Sequence, residues 1–588
     1  MMNAETKICQ NCKQQFTVEP EDFDFYEKIK VPPPTWCPEC RAVRRMTWRN
    51  ERTLYRRKCM ATKKDIISMF SPGGKTIVYD RDYWWSDSWN QLASGRAYDF
   101  SKPFFAQFSE LLAEAPLPNL AITNVINIDY ANHSHDSKNC YLLFASGECE
   151  DVHYSSGAAH CKDSLDIYNA EHLEQSYEDV SCSNSSRLLF SHDSSNCLNA
   201  RFLGYCKNVS DSIGCFNLRN KSHHIFNQPY SKSEFEKEFS KLDLESYVNL
   251  NNLKERFSEF SKTQIRKAAN ITNCTNVTGD NLFDSKNCHY CFDLYGKCED
   301  SKYAAHAYDL RDSYDGYGYG ANAELLYEGI DTGVDASLCR FASFTHKCRD
   351  TWYTYCCHSS SHLFGCVGLR NKEYCILNKQ YTKEEYEELL PKIIAQMNAM
   401  PYTDKEGRKY PYGEMFPPEF SPFAYNETIA QEYFPLTKNE ALKRGYPWKD
   451  PDAKDYKITK TSAELPDRTK DISDDVLKET IGCEHSGNCN HQCTTAFRII
   501  SDELSFYRRL ELPVPRLCPN CRNYERFKLR NPMKLWHRKC MCDQKIYKNT
   551  VKHEHHPVGP CPNELETPYA PDRPEIVYCE SCYNAEVA

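Results

Sequence analysis

The chain has 588 residues, 40% of them hydrophobic and 26% charged, with a formal net charge of −9. Its length allows several cores at about 150 residues per domain; the composition excludes a disordered or fibrous chain, and the acidic balance excludes a globally basic nucleic-acid coat. The unusual feature is 32 cysteines beside 39 tyrosines, which implies disulfides, metal or a cysteine-rich core.

No apolar segment precedes the first cysteines in MMNAETKICQ, and no run approaches the roughly 18 apolar residues of a membrane helix. A cytoplasmic protein is expected, in which thiols stay reduced and paired cysteines hold metal. A secreted, disulfide-rich solenoid is the alternative.

Residues 1–95 open with Cys9, Cys12, Cys37 and Cys40, spaced C-x2-C-x24-C-x2-C. A two-residue gap folds each pair into a knuckle whose thiolates converge on one tetrahedral ion, so a closed, structural zinc site is predicted in a zinc ribbon or treble-clef-like module. Directly after it, Arg41, Arg45 and Arg49 recur every four residues and fall on one face of a helix. With Trp48 to stack, this stripe is a candidate RNA- or DNA-binding surface; a solvated or acid-paired face is the other reading.

Residues 122–262 and 263–400 are copies of each other. DSKNC at 136–140 recurs at 284–288, and Cys197, Cys206 and Cys215 match Cys348, Cys357 and Cys366 at an offset of 151. Short apolar or aromatic segments (YLLF, RLLF, TWYTY) alternate with Ser/Asn/Asp turns. Cys339, Cys348, Cys357, Cys366 and Cys375 fall nine apart, whereas Cys140, Cys161 and Cys182 fall twenty-one apart. The pattern predicts a mainly β protein built on a duplicated, parallel β-helix-like solenoid with a repeat of about 20 residues; a Greek-key sandwich is the alternative. The 17 cysteines of residues 140–375 are expected to pack as small, reduced hydrophobes, with Cys288 and Cys291 as a further metal candidate. Asp163, Asp166, Asp312 and Asp315 recur at one place in the two halves and read as turn residues, or as paired carboxylates of a carbohydrate-active solenoid enzyme. Ser231 with Glu234, and Thr382 with Glu385, are capping boxes that predict short helices closing each half.

Residues 401–480 are a Pro- and Tyr-rich linker. Residues 481–588 then repeat the first module: Cys12, Cys37, Cys40, Arg41, Arg45, Arg49 and Cys59 reappear as Cys493, Cys518, Cys521, Arg522, Arg526, Arg530 and Cys540, all at an offset of 481. A second zinc site is predicted at Cys489, Cys493, Cys518 and Cys521, with Cys483 or His485 competing for the first place. Arg522, Arg526 and Arg530 form a second stripe beside Trp536. A third site draws on Cys540, Cys542, Cys561, Cys579 and Cys582. Cys540 persists as Cys59 in the first module, where the other four are absent, and a partial ligand set binds poorly. Cys542, Cys561, Cys579 and Cys582 are therefore the expected ligands, with Cys59 and Cys540 as packing residues and His553, His555 and His556 as substitutes for Cys561. Three zinc ions are expected in all.

The signature C-x2-C-x3-F, DFDFY and P-x2-CPECR in the first module, with SDELSFY and P-x2-CPNCR in the second, resembles the probable zinc-binding domain family of bacterial zinc ribbons. The resemblance covers only the two ends and implies a zinc ribbon of unassigned role. The whole arrangement, including SPFAYNETIAQEYFPLTKNEA and PDRPEIVYCESCY, is similar to large zinc-ribbon proteins of candidate-phyla bacteria.

No nucleophile elbow, phosphate loop, H-E-x-x-H or flavin fingerprint is present. The expected function is a non-catalytic, zinc-binding interaction scaffold that meets a protein partner through its Tyr-rich solenoid surface, with no membrane and no small-molecule cofactor. The alternatives are an RNA/DNA- or ribosome-associated protein that uses the two arginine stripes, and a carbohydrate-active enzyme.

Overall fold

A computed structural model describes residues 3–450 and 457–587. Its centre is two parallel β-solenoids in tandem. In the first half the strands run from Ile126–Asp129 to Arg219–Ser222 and pair in parallel order, with Ile126 opposite Lys138, Lys138 opposite Glu150, Glu150 opposite Lys162 and Lys162 opposite Glu174. Each coil therefore takes twelve residues. In the second half the coil length varies, from eleven residues for Ile271 opposite Leu282 to twelve for Gly279 opposite Cys291 and thirteen for Tyr314 opposite Tyr327.

The coil is thus shorter than the cysteine spacing suggested, and the backbone shows why. Along the first half every third residue, such as Asp136, Asn139, Leu142, Ala145 and Glu148, has φ near +50°. That left-handed step turns the chain, and the residue after it points into the core: Ser137, Cys140, Leu143, Ser146, Cys149 and Val152 are all buried. Spacings of nine and of twenty-one are both multiples of three, so either puts a cysteine inward on one side or another of the coil. Asn and Asp tolerate the left-handed step best. There they stack as ladders, with Asn127 Nδ2 donating to Asn139 Oδ1 at 3.0 Å and Asn124 Nδ2 to Asp136 Oδ1 at 3.0 Å.

The narrow core selects small side chains that satisfy the backbone. Ser137 Oγ donates to His135 O and accepts from Cys149 N, one coil on, at 3.0 Å; Ser146, Ser155 and Ser164 repeat the bridge to Ala158, Ile167 and Ser176. Inward cysteines donate to the same carbonyl, as when Cys140 Sγ donates to Lys138 O, and also face a carbonyl of the next coil, Cys149 O at 3.8 Å. Both capping boxes form, opening the helices Lys232–Ser240 and Lys383–Ala399. These helices lie against outward side chains of the last coils, Phe235 on His223 and Tyr386 on Tyr374.

The two terminal modules dock in a crossed manner. The N-terminal module packs on the second half and the C-terminal module on the first. Helix Pro38–Met46 sends Arg41 to Asp315 (2.8 Å) and Arg45 to Asp315 (3.2 Å) and Glu328 (3.4 Å), while Lys28 reaches Asp312 (3.0 Å). Helix Pro519–Phe527 sends Arg522 and Arg526 to Asp166 (3.1 and 2.6 Å), while Arg509 reaches Asp163. Every basic residue in the second set is the copy of one in the first, and Asp163 and Asp166 are the copies of Asp312 and Asp315. One ionic code is used twice. Residues 401–450, read from sequence as a linker, add Tyr410, Met415, Phe416, Tyr425 and Ile429 to the buried core that also holds Trp36, Trp48, Phe108 and Tyr353. Among the described residues no helix is long and apolar enough to cross a membrane.

Candidate metal centres

In the N-terminal module a hairpin of Glu5–Ile8 and Gln15–Val18 carries Cys9 and Cys12 in its turn, and helix Pro38–Met46 begins at Cys37 with Cys40 in its first turn. Proline at the first helical position fixes the start, and the helix N-terminus favours thiolates. Cys9, Cys12, Cys37 and Cys40 come together with all four sulfurs within 4.8 Å of one another. Cys12 and Cys37 Sγ are 3.7 Å apart, and tetrahedral zinc with bonds of about 2.3 Å has S···S edges of about 3.8 Å. Outer donors hold the sulfurs: Cys37 N to Cys9 Sγ at 3.2 Å and Asn11 Nδ2 to Cys40 Sγ at 3.3 Å. The donors suit a metal with four soft ligands.

The second module repeats this with one change. The four-thiolate group is Cys483, Cys493, Cys518 and Cys521, so Cys483 stands where Cys489 was expected. The reason lies in the hairpin. Ile481 pairs with Phe497 as Lys7 pairs with Phe16, which puts Cys483 on the register of Cys9, and Cys518 N donates to Cys483 Sγ at 3.2 Å as Cys37 N does to Cys9. Seven residues are inserted in the turn, since Cys483 precedes Cys493 by ten positions and Cys9 precedes Cys12 by three. They carry Cys489 into a second group with His485, His491 and the shared Cys521, with Cys489 and Cys521 Sγ 3.8 Å apart. Sequence reading missed His491; the signal for Cys483 was its place just after a strand, as in Cys9.

The third centre also differs from expectation. Cys540, Cys561, Cys579 and Cys582 form the four-thiolate group, all buried, with Cys561 and Cys579 Sγ 3.9 Å apart. Cys540 therefore belongs to the four-thiolate group, and Cys542 lies in a different group with His553, His556 and Cys582. Cys540 follows the strand Trp536–Lys539 in a knuckle, accepting from Cys579 N at 3.1 Å. Its copy Cys59 keeps that geometry, accepting from Asp80 N at 3.1 Å, although no other cysteine remains there. Burial alone would raise the Cys59 thiol, but hydrogen bonds from Thr62 and from the Asp80, Thr62 and Ala61 backbone outweigh it and leave it lowered. Cys59 and Cys540 thus share one knuckle geometry, and only Cys540 has three further cysteines beside it.

The solenoid cysteines behave differently. Burial pushes Cys140 up to about 11 and Cys288 up to about 12. Cys288 and Cys291 donate to carbonyls, Cys288 Sγ to Lys286 O and Cys291 Sγ to His289 O. They are held as protonated core residues. All 32 cysteines are free thiols.

The arginine stripes face inward. Arg41, Arg45, Arg49, Arg522 and Arg526 are buried and paired with acids, and Arg530 lies 3.9 Å over the Tyr433 ring while donating to Tyr168 Oη. A guanidinium buried without a partner is costly, so a face this rich in Arg is stable inside only when carboxylates meet it. Asp166 and Asp315, the recurring acids, are those carboxylates; both also take the left-handed turn step expected of them, with φ of +55° and +57°, while their side chains are buried against the arginines.

No protein-family model matches the chain, and no curated protein does. Among solved structures, a protein from Desulfovibrio desulfuricans G20 with a provisional acetyltransferase name aligns over 49% of this chain and 86% of its own at 8% identity. The TM-score of 0.10 carries no argument about fold or activity.

Proposed function

We propose that the protein is a zinc-binding, non-catalytic interaction scaffold of the cytoplasm, in which zinc organises the terminal modules and the solenoid presents the binding surface. The observation that carries this reading is the set of three four-thiolate groups, each bringing four cysteine sulfurs within 4.8 Å of one another. Closed four-cysteine sets serve folding, whereas catalytic zinc keeps an open position. The four recurring aspartates are engaged in docking: Asp166 and Asp315 are buried against arginines, and Asp163 and Asp312 pair with Arg509 and Lys28, which speaks against a carboxylate-driven hydrolase at these positions. The inward arginines likewise favour the scaffold over a nucleic-acid protein that reads phosphates with them. On the solenoid, Tyr290 and Tyr308 are exposed, and aromatic surface of that kind is enriched at protein interfaces.

Metal analysis of the full chain, purified without added zinc, tests the reading. At least three tightly held zinc ions per chain are expected, one per four-thiolate group; fewer than two would overturn it. Capture of partners from nuclease-treated and untreated lysates separates the interaction classes, since a protein partner survives nuclease and a nucleic-acid bridge does not.

A further inference from the structure

We infer that Cys582 bridges two metal ions, so that the C-terminal end of the chain holds a binuclear thiolate–imidazole centre. This rests on the zinc reading of the group Cys540, Cys561, Cys579 and Cys582. The added ion is held by Cys542, His553, His556 and the shared Cys582, all four buried.

The four ligand atoms lie within 4.8 Å of one another, and three of their separations are close to, or somewhat shorter than, the edges of a second tetrahedron. Cys542 Sγ lies 3.4 Å from His553 Nδ1, His553 Nδ1 lies 3.1 Å from His556 Nε2, and His556 Nε2 lies 3.1 Å from Cys582 Sγ. With Zn–N bonds of about 2.0 Å and Zn–S bonds of about 2.3 Å, tetrahedral edges fall at about 3.3–3.8 Å.

The outer contacts set the ring nitrogens. His556 Nδ1 faces the carbonyl of Gly559 at 3.1 Å, which can only accept, so the proton sits on Nδ1 and Nε2 carries a lone pair. His553 Nε2 faces the carboxylate of Glu586 at 2.9 Å, both side chains fully buried, so its proton sits there and Nδ1 is bare. Two bare nitrogens then point at each other, flanked by two sulfurs. Repulsion between lone pairs at that distance is relieved by a cation between them. Histidine ligands are commonly oriented by this kind of carboxylate or carbonyl partner. Glu586 is itself fixed, accepting from Thr550 N and Oγ1 at 2.7 and 2.8 Å, and Asn549 Nδ2 donates to Cys542 Sγ at 3.2 Å. His555 is exposed and lies on the side of the four-thiolate group, with Nε2 3.3 Å from Cys582 Sγ and 3.7 Å from Cys561 Sγ. Two thiolates and two imidazoles in a tetrahedron suit zinc.

Three of the four ligands of the added ion lie on one insertion, and the fourth, Cys582, comes from helix Glu580–Val587. Between the paired strands Tyr55–Lys58 and Asp65–Ser68 the first module has a short turn, whereas between Trp536–Lys539 and Glu564–Thr567 the second carries Cys542, His553, His556 and Cys561.

Native mass spectrometry of the zinc-loaded full chain tests the proposal by difference. The double variant His553→Ala/His556→Ala is expected to hold one ion fewer than the parent, and Cys540→Ser/Cys561→Ser is expected to lose an ion of its own. An unchanged count in the histidine variant, with a loss in the cysteine variant, overturns the bridge and leaves the zinc reading standing; no loss in either removes both. Should the histidine variant fail to fold, the cobalt(II)-loaded parent decides: a thiolate-bridged pair is spin-coupled, so a Cys582 bridge predicts that Cys582→Ser raises the electron paramagnetic resonance signal per bound cobalt. No change in that signal contradicts the bridge.

Discussion

The two terminal modules share a sequence pattern and a docking code, yet they differ in how many candidate metal-binding groups they carry. The first has one four-thiolate group and a lone knuckle cysteine, Cys59. The second keeps the first group as Cys483, Cys493, Cys518 and Cys521, completes the second around Cys540, and adds His/Cys side chains through two insertions, one in each knuckle region. Insertions in a turn leave the hairpin register and the helix intact, so new ligands accumulate without disturbing the arginine face that docks on the solenoid. The comparison separates the candidate metal groups from the docking face of one small fold.

The sharpest way to break the comparison is to remove a ligand. Cys40→Ser and Cys521→Ser are each expected to unfold the module concerned, because structural zinc contributes about 10–16 kcal/mol that is also folding free energy. Circular dichroism and limited proteolysis would show the N-terminal module lost alone in Cys40→Ser and the C-terminal module lost alone in Cys521→Ser. Docking comes next. Asp166→Asn leaves Arg526 without its carboxylate and is expected to destabilise the chain by about 3–5 kcal/mol. Asp315→Asn should cost less, because Glu328 lies 3.4 Å from Arg45 and remains in place; denaturant melts of the two variants check the order.

A smaller effect sits between the modules. Burial, with repulsion from Glu51, pushes Glu432 up to about 8, and Asp280 is raised by burial to about 7. A carboxyl whose folded pKa lies above its unfolded value favours the folded state while protonated, and that stability is lost as pH rises from about 4.5 towards 8. Glu432→Gln is therefore expected to raise Tm at pH 8 relative to the parent and to leave it nearly unchanged at pH 5. The smallest effect belongs to the partly exposed outer pairs: Lys28→Ala and Arg509→Ala should each change stability by less than about 1 kcal/mol, and by similar amounts, if the ionic code is indeed shared.

Much of this architecture was legible in the residues. The 481-residue offset exposed the two modules, DSKNC exposed the duplicated solenoid, and the capping boxes at Ser231 and Thr382 placed the helix starts. The coil length was hidden because cysteine marks only some of the inward positions, while Ser, Ala, Val and Leu fill the rest. Reading the third-residue rhythm needs the left-handed backbone step, which Leu142 and Phe190 take as well as Asn and Asp. The grouping of Cys483 was hidden because spacing finds knuckles of fixed length, whereas an insertion moves a residue along the chain without moving it in space; Cys540 was set aside for a different reason, its persistence as Cys59 where the other four are absent. The fate of the arginines depended on Asp166 and Asp315, whose positions only the crossed docking reveals.

The central claim is that metal holds both modules and that the C-terminal one holds more of it. Zinc counting by native mass spectrometry on the full chain and on Cys37→Ser and Cys518→Ser variants tests it directly. The account predicts at least three ions per chain, the loss of one in Cys37→Ser and at least two remaining in that variant, all in the C-terminal module. A chain that keeps its fold with no bound metal, or one whose ions all disappear with Cys37→Ser, would contradict it.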